Sequence, residues 1–488
     1  MNTTMVDDGP TADRRTTELL CRVLGLSRQE VTDDLRYQSI TAWDSFAHVE
    51  LMVSLESETG VPIDGDLMIA LTSVPAIREF ITAHSGDPID PIDEGTAPRP
   101  ADDQEEVAVH RGLTGVVLDD SAVSEIDGRG GRLSYRGYSI HDLAERASFE
   151  EVAHLLLHGE LPNAAELAAF ADRLAHARVL PEAVLDTIAT YRRARPMSVL
   201  RTAVSALAAV DEAGEDPVPG IDPRERLIAR IPTILAAQQA LRTGAPAPAP
   251  DRRPGHARAL LGMLGLSTDP ELVRLLDRCL VVQAEHGSNA SAFTARVVTG
   301  TGADRYGAVT AAIAAFDGPL HGGATEQVAT MVAEVGSPDN AARYVAGCRE
   351  NRRPVMGFGH RVYRTEDPRA RHLRSAAEQL SAATGARHTL SVLEAVREAM
   401  RPMRSHGLDI NVDFYSGTIY DQLGFPAELF VPIFVAARMP GWLAQIDEQH
   451  ANNVLIRPLL RYSGERQRPF VPLTDRLTDR LTDRLTDR

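Results

Sequence analysis

Apolar residues recur at helical spacing along most of this chain. In residues 149–157, Phe-Glu-Glu-Val-Ala-His-Leu-Leu-Leu, the apolar side chains fall on one helical face, and Gly159 with Pro162 marks the end of the stretch. Short breaks of glycine and proline separate similar stretches, and few segments show the alternating β-branched residues of a strand. The pattern therefore predicts a mainly α protein.

Changes in composition divide the chain into four regions. Apolar spacing predicts a compact helical unit over residues 14–85, and the acidic, proline-rich stretch 86–107 is typical of a flexible linker. Residues 108–472 are predicted to form the main helical body. Residues 473–488 repeat Leu-Thr-Asp-Arg four times, a low-complexity tail to which we assign no fold and no function.

Composition narrows the classes of function. The chain has 488 residues and a net charge of −17 at pH 7, which argues against a nucleic-acid partner. No apolar run approaches the ~18 residues of a membrane span, so no membrane partner is expected. Residues 1–8 lack the basic and apolar parts of a secretory signal, and the three distant cysteines cannot form a disulfide framework. We therefore expect a reduced, cytoplasmic setting.

The sequence contains no lysine, so arginine supplies all of the permanently charged basic side chains. A GC-rich genome would explain this composition without any functional role. Whatever its origin, it excludes Schiff-base chemistry through lysine, and it leaves anion binding to planar, always charged guanidinium groups.

Ser45 stands at the start of an amphipathic stretch. By itself, Asp44-Ser45 is well explained as a helix N-cap pair. Its surroundings, Trp43-Asp44-Ser45-Phe46 followed by Val49-Glu50-Leu51, resemble acyl carrier proteins. The resemblance implies a 4′-phosphopantetheine arm on Ser45, added by a phosphopantetheinyl transferase, and an acidic helix on which other synthases dock. A helix N-terminus suits the phosphodiester because the helix dipole favours negative charge there.

Four segments of the main body combine histidine, glycine, arginine and acidic residues. They are Glu285–Ser291, Gly318–Ala324, Gly357–Arg369 and Asn411–Gly417. A histidine in any one of them is more often structural than catalytic. No His-x-x-x-His or cysteine pair gives convincing metal-ligand spacing, so no metal is predicted. The glycines that flank these histidines would let the backbone approach a ligand closely.

Taken together, these segments resemble the citrate synthase family, including its 2-methylcitrate synthase branch. Matching motifs run in consistent order along the chain, from Gly112–Val117 through Tyr135–Tyr138 and Leu157–Pro162 to Gly441-Trp442 and Ile456–Pro458. The resemblance implies an all-α catalytic fold in a homodimer. In that fold a large domain and a small domain, here about 323–425, close over a cleft.

The resemblance also assigns roles to individual residues. His321 is expected to hydrogen-bond the carbonyl of an acyl thioester such as acyl-CoA, Asp413 to remove its α-proton, and His360 to polarise the ketone of a 2-oxo acid. A thioester α-proton is weakly acidic, so a base and a group that stabilises the enolate must act together.

The remaining matched positions bind the substrates. The family positions that hold the dicarboxylic 2-oxo acid correspond to His286, Arg369, Arg438 and Arg457, of which the last reaches the partner subunit's site in the family. Arg364 and Arg361 match the region that faces the CoA pyrophosphate. Two carboxylates beside a reacting ketone need fixed, charge-assisted partners, for which the fork of arginine is suited.

Four positions depart from the usual pattern of the family. Arg195 and Gln445 stand where histidine is usual, Thr325 where asparagine is common, and Glu285 where aspartate is usual. None of these departures removes a predicted catalytic role, but they leave the identity of the substrates open.

Three hypotheses about function follow. The first is a Claisen-type condensation of an acetyl- or propionyl-like thioester with oxaloacetate or a similar 2-oxo acid, followed by thioester hydrolysis. The acyl group would lie on CoA or on the Ser45 arm, and the fused carrier indicates a specialised pathway. The second hypothesis keeps this reaction with free acyl-CoA and makes the N-terminal domain a docking module. The third is a non-catalytic carrier or scaffold, which the presence of His321, His360 and Asp413 argues against.

Overall fold

A computed structural model describes most of the chain. The described residues are 12–33, 35–37, 40, 42–43, 45–63, 67, 70–84, 113, 116–351, 353–360, 362–363, 365–402, 409–473 and 476. The chain divides into two units, one of Met1–Pro91 with Asp119–Ile456 and one of Ile92–Leu118 with Arg457–Arg488. We describe each unit by itself.

The described residues are mainly helical, as the apolar spacing predicts. The α-helices are α1 (Ala12–Leu24), α2 (Ser45–Thr59), α3 (Val74–His84), α4 (Ile140–Arg146), α5 (Phe149–His158), α6 (Ala164–Ala177), α7 (Glu182–Tyr191), α8 (Pro196–Glu212), α9 (Pro223–Arg242), α10 (His256–Met263), α11 (Pro270–Gln283), α12 (Ala290–Gly300), α13 (Arg305–Phe316), α14 (Ala324–Val335), α15 (Ala341–Glu350), α16 (Ala370–Thr384), α17 (His388–Ala399), α18 (Asp413–Gln422) and α19 (Phe430–Ala451). Two short 3₁₀ helices cover Pro338–Asn340 and Ala427–Leu429. The strands are β1 (Ser124–Asp127), β2 (Arg132–Tyr135) and β3 (Tyr138–Ser139).

Helices α1, α2 and α3 pack around a hydrophobic core of their own. Its fully buried members include Leu19, Leu20, Leu51, Leu55 and Ile77. Trp43 is also fully buried, and its Nε1 donates a hydrogen bond to Nδ1 of His48 at 3.1 Å, which ties the segment before α2 to that helix. Ser45 is the first residue of α2, as the sequence predicts, whereas Asp44 lies outside the described residues.

A second and much larger core lies within the main body, and α19 runs through it. This helix and the preceding 3₁₀ turn, Ala427–Ala451, are long and apolar enough to cross a membrane, although the sequence analysis found no such run. The whole apolar window is buried inside the protein, so α19 is a core helix. It was overlooked because Arg438, Pro440 and Gly441 interrupt the apolar residues.

A small antiparallel sheet lies next to the end of α11. β1 pairs with β2, with Ser124 opposite Tyr135, and β2 pairs with β3, with Tyr135 opposite Tyr138. The buried hydroxyl of Tyr135 lies 2.9 Å from the carbonyl oxygen of Glu285, and the Glu285 amide donates back to it at 3.3 Å. The sheet therefore fixes the backbone directly before His286.

The second unit is extended and exposed where it is described. Residues 457–472 contain no helix, and large apolar side chains project into solvent at Leu459, Leu460, Tyr462, Phe470 and Leu473. Of the predicted repeat tail, only Leu473 and Arg476 belong to the described residues. The predicted linker, 86–107, lies outside them, and the boundaries of the predicted domains, including the small domain at about 323–425, stay predictions.

Gly441 is the point of closest approach between α19 and the end of α11. A Cβ there would overlap the carbonyl oxygen of Ala284 and the Glu285 carboxylate, and would lie 3.1 Å from Glu285 Cα. We expect Gly441→Ala to lower the free energy of unfolding by about 1–3 kcal/mol, as overpacking does. Thermal and urea unfolding followed by circular dichroism would measure the change.

Gly347, on helix α15, offers the matched control. A Cβ there meets nothing within 4 Å, so Gly347→Ala should raise stability by about 0.4–1 kcal/mol. If both variants unfold at the same midpoint as the unaltered protein, the inference that Gly441 is too closely packed for a Cβ is wrong.

Candidate active site

Asp413 begins helix α18, and hydrogen bonds hold both its main-chain amide and its side-chain carboxylate. Its amide donates to Oδ1 of Asn411 at 3.0 Å, and its own Oδ1 accepts a hydrogen bond from the hydroxyl of Thr325 at 2.6 Å. A carboxylate in the first turn is favoured by the helix dipole. Burial nevertheless raises the pKa of Asp413 to about 6, while Thr325 and the guanidinium groups of Arg369 and Arg438 act to lower it.

The loop that bears His360 pairs with the segment that leads into α18. The Asn411 amide donates to the carbonyl oxygen of Gly357 at 2.9 Å, and the Asn411 side chain donates to that of Gly359 at 3.0 Å. Gly357 has φ 79°, and a Cβ there would lie 2.7 Å from the ring of Phe414. Only glycine allows this loop to lie so close to α18.

Main-chain amides orient the ring of His360. The amides of Val362 and Tyr363 both donate to Nδ1, at 3.0 and 3.1 Å. Because an amide nitrogen can only donate, Nδ1 is the acceptor and the ring proton of the neutral form lies on Nε2. His360 can therefore donate a hydrogen bond from Nε2 to a ligand.

His321 uses the other ring nitrogen, Nε2, as its acceptor. Its Nε2 lies 3.3 Å from the donating amide of Ser291 and 2.9 Å from the hydroxyl of the same residue. We assign Nε2 as an acceptor, which puts the proton on Nδ1. Burial lowers the pKa of His321 to about 4, with a smaller contribution from Arg438, so the ring is neutral at pH 7 and is a hydrogen-bond donor without a charge.

Contacts connect the three predicted catalytic segments in a closed ring. His321 contacts Ser291, on the segment of His286, and the ring of His286 lies 5.1 Å from that of His360. The His360 loop then bonds to Asn411 beside Asp413, and Asp413 bonds to Thr325, four residues after His321. The structure therefore brings together His321, His360, Asp413 and His286.

Two buried arginines add positive charge to this site. Arg369 forms an ion pair with Asp367, donating from Nε at 2.9 Å and from Nη2 at 2.6 Å. Both hydrogens of Nη1 and the second hydrogen of Nη2 remain for a substrate carboxylate. Arg438 donates from Nε to the carbonyl oxygen of Gln283 at 2.6 Å and packs over the ring of Phe434. Burial lowers the pKa of Arg438 to about 10.

The charges of the site fit an anion better than a cation. His286, His360 and Asp367 each place one possible metal-ligand atom within 4.8 Å of the others. The Asp367 carboxylate is already paired with Arg369, however, and burial together with Arg369, His360 and Arg438 holds the pKa of His286 well below its usual range. A metal ion would be repelled by the same buried guanidinium groups that attract a carboxylate.

The other predicted binding residues are not placed at this site. Arg457 is exposed and belongs to the second unit, so it is described apart from the catalytic segments. Arg361 and Arg364 lie outside the described residues. Their predicted roles, and the role of Ser45 in α2, stay predictions.

Sequence reasoning missed several residues that contact the predicted catalytic groups. Ser291 lies within the quoted segment Glu285–Ser291 but was given no role, and Thr325 was noted as a departure without a partner. The spacing of Asp367 and Arg369, two residues apart, could have indicated their pairing.

Two of the four departures from the family pattern contact each other. The amide of Gln445 donates to Oε1 of Glu285 at 2.8 Å, and Ser124 donates to the same oxygen at 3.0 Å. Arg296 in turn donates to the Gln445 oxygen at 2.6 Å. Glu285 is fully buried, and burial raises its pKa, with Arg438 as the largest opposing influence. A third departure, Arg195, forms an ion pair at the surface with Asp317.

Comparisons with known sequences show the family to which most of the chain belongs. The family model described as "Citrate synthase, C-terminal domain" matches residues 112–459. A citrate synthase of Haloferax volcanii is 41% identical over 375 residues, covering 75% of this chain and 98% of that protein. 2-Methylcitrate synthase 2 of Corynebacterium glutamicum is 40% identical over 379 residues, covering 75% of this chain and 98% of that protein.

Solved structures give the same result. The crystal structure of citrate synthase from Pyrobaculum aerophilum matches with a TM-score of 0.69 and 35% identity, covering 75% of this chain and 95% of that chain. The enzyme from Thermoplasma acidophilum, solved as a ternary complex with carboxymethyl coenzyme A and oxaloacetate, matches with a TM-score of 0.70 and 30% identity. That match covers 76% of this chain and all of the other.

The tautomers of His321 and His360 are testable in the intact protein. With ¹⁵N-labelled histidine, we expect His321 to be neutral at pH 7 with its proton on Nδ1, and His360 to carry its ring proton on Nε2. Long-range ¹H–¹⁵N correlation spectra distinguish these forms, with His321→Gln and His360→Gln for assignment. A charged His321 at pH 7, or the reverse tautomer in either ring, would contradict the geometry.

Proposed function

Because the chain belongs to the citrate synthase family, we propose that it condenses an acetyl- or propionyl-like thioester with oxaloacetate or a similar 2-oxo acid. The product would be a citrate-like tricarboxylic acid. The observation that carries this proposal is the closed ring of contacts that joins His321, His360 and Asp413. Such a site supplies a base, a neutral donor for the enolate and a donor for the ketone.

The first step is removal of a proton from the α-carbon of the acyl thioester. The free oxygen of the Asp413 carboxylate takes this proton, and Nδ1–H of His321 donates a hydrogen bond to the thioester oxygen as it gains negative charge. A neutral imidazole is suited to this, because its pKa lies nearer to that of an enol than the pKa of imidazolium does.

The second step forms the carbon–carbon bond. The enolate carbon attacks the ketone carbon of the 2-oxo acid, and Nε2–H of His360 donates to the ketone oxygen, which becomes the hydroxyl group of the product. Water then adds to the thioester carbonyl, and the C–S bond breaks to release a carboxylate and a thiol. Arg369 and Arg438, with His286, are placed to hold the carboxylates of the 2-oxo acid through this sequence.

The acyl chain could be acetyl or propionyl, because the relatives include synthases of both citrate and 2-methylcitrate.

The proposal includes a homodimer, with Arg457 of each chain reaching its partner's site. The large apolar side chains exposed along residues 457–473 support an interface there, since clustered exposed apolar residues often mark a contact with a partner. A cytoplasmic location belongs to the same proposal and fits three free cysteines.

We further propose that the N-terminal helices are a carrier domain with 4′-phosphopantetheine on Ser45, and that the arm presents the acyl donor in a specialised pathway. The separate hydrophobic core around α1, α2 and α3 supports this proposal, and Ser45 is the first residue of α2. A tether raises the effective concentration of the acyl group at the site. In the alternative version, free acyl-CoA is the donor and the domain docks on another synthase.

Asp413 should control the pH dependence of the reaction. Since burial raises its pKa to about 6 and the base must be ionised, kcat/KM should fall as the pH drops through about 6. Asp413→Asn should lower kcat by about 10²–10⁴-fold, measured as thiol release from acetyl-CoA or propionyl-CoA with oxaloacetate. Asp421→Asn, at an exposed position of α18, is the control. Full activity of Asp413→Asn would reject Asp413 as the base.

The carrier can be tested by intact-mass spectrometry. After incubation with a phosphopantetheinyl transferase and CoA, we expect the chain to gain one phosphopantetheine and Ser45→Ala to gain none. Chains loaded with acetyl or propionyl groups should then react with oxaloacetate. An unmodified Ser45 would favour the docking version. If the unaltered protein and Ser45→Ala react at equal rates with free acyl-CoA, the tethered donor is not required.

A further inference from the structure

Thr325 contacts the catalytic carboxylate at a position where the family commonly has asparagine. It is the second residue of α14, fully buried, and its hydroxyl donates to Oδ1 of Asp413 at 2.6 Å. The resemblance to the family assigns Thr325 no role, and the sequence analysis noted only that it replaces the common asparagine.

The packing around Thr325 leaves its side chain little freedom. Helices α14 and α18 meet at Gly417, where a Cβ would lie 3.2 Å from the Thr325 carbonyl oxygen and 3.5 Å from its Cγ2. The methyl group is thus packed against α18, and a β-branched residue has few rotamers, so the hydroxyl is directed at Asp413. A hydrogen bond between a hydroxyl and a carboxylate at this distance is of the strong, charge-assisted kind.

We propose that Thr325 is a positioning residue, which holds Oδ1 of Asp413 and leaves Oδ2 as the oxygen that takes the substrate proton. This inference rests on the proposed function of Asp413 as the base. The hydroxyl stabilises the ionised carboxylate and opposes the effect of burial, so that the base stays ready to accept a proton near neutral pH.

Other charges around Asp413 act together with this hydrogen bond. The buried pair of Asp367 and Arg369 precedes α16, and Arg438 reaches the site from α19. Tyr420 lies on α18, the helix that Asp413 begins, and interacts with Asp413. Burial holds the pKa of the Tyr420 phenol well above its usual range, so the phenol stays neutral. Thr325 is uncharged and donates directly to Asp413, so it can be changed without altering the net charge of the site.

The test compares Thr325→Val, which keeps the shape and loses the hydroxyl, with Thr325→Ser, which keeps the hydroxyl. We expect Thr325→Val to move the acid limb of the kcat/KM profile to higher pH by about one unit or more, because the carboxylate loses a charge-assisted donor. Thr325→Ser should restore the limb to about pH 6, and the KM for oxaloacetate should stay within about twofold in both. Thr330→Val, at an exposed position of the same helix, is the matched control.

A direct titration of the Asp413 carboxyl group tests this inference independently of whether the chain catalyses the condensation. The side-chain carboxyl of Asp413 can be followed by ¹³C NMR in aspartate-labelled protein, with Asp413→Asn for assignment, whether or not condensation is observed. An upward shift in Thr325→Val and its reversal in Thr325→Ser support the inference. An unchanged titration, or a uniform loss of rate at every pH, overturns it. If Thr325→Val does not fold, Thr325→Ala gives the same readout.

Discussion

The buried guanidinium groups of Arg369 and Arg438 are the features on which the chemistry of this site depends. Burying a charge costs free energy unless a partner compensates for it. Arg369 has Asp367 as its ion-pair partner, whereas Arg438 donates to the neutral carbonyl of Gln283 and interacts with the carboxyl groups of Glu285 and Asp413 only through space. A substrate carboxylate could therefore bind Arg438 directly. The same arginines act to lower the pKa of Asp413 and His286, and Arg438 that of His321. Burial keeps the two imidazoles neutral and raises the pKa of Asp413, and the arginine charges reinforce the first effect and oppose the second.

The second constraint is imposed by the main chain. Amides donate to Nε2 of His321 and to Nδ1 of His360, so each ring presents its proton on the opposite nitrogen. These orientations depend on tight loops, and glycine at 357 lets one loop lie against Phe414. The backbone thus determines the chemistry of two side chains that, in water, would exchange between tautomers.

The sequence predicted the helical class and the family, because short glycine-flanked motifs in a fixed order are specific in combination. It also named His321, His360, Asp413 and His286, which the structure brings together, while their roles stay predictions. It could not predict contacts between distant segments. Thr325 and Asp413 are 88 positions apart, and Glu285 and Gln445 are 160 apart, so only the packed fold pairs them. Helix α19 was also missed as a continuous apolar element, because Arg438, Pro440 and Gly441 interrupt its apolar residues.

The contact between Glu285 and Gln445 has a consequence for how this chain diverged from its relatives. Where the family usually has aspartate and histidine, the longer carboxylate and the amide here hydrogen-bond each other in a buried network with Ser124 and Arg296. Exchanging one member alone would strand a buried polar group, whose desolvation costs about 1–3 kcal/mol. The two positions are therefore epistatic: substitution at one constrains which residues evolution can accept at the other.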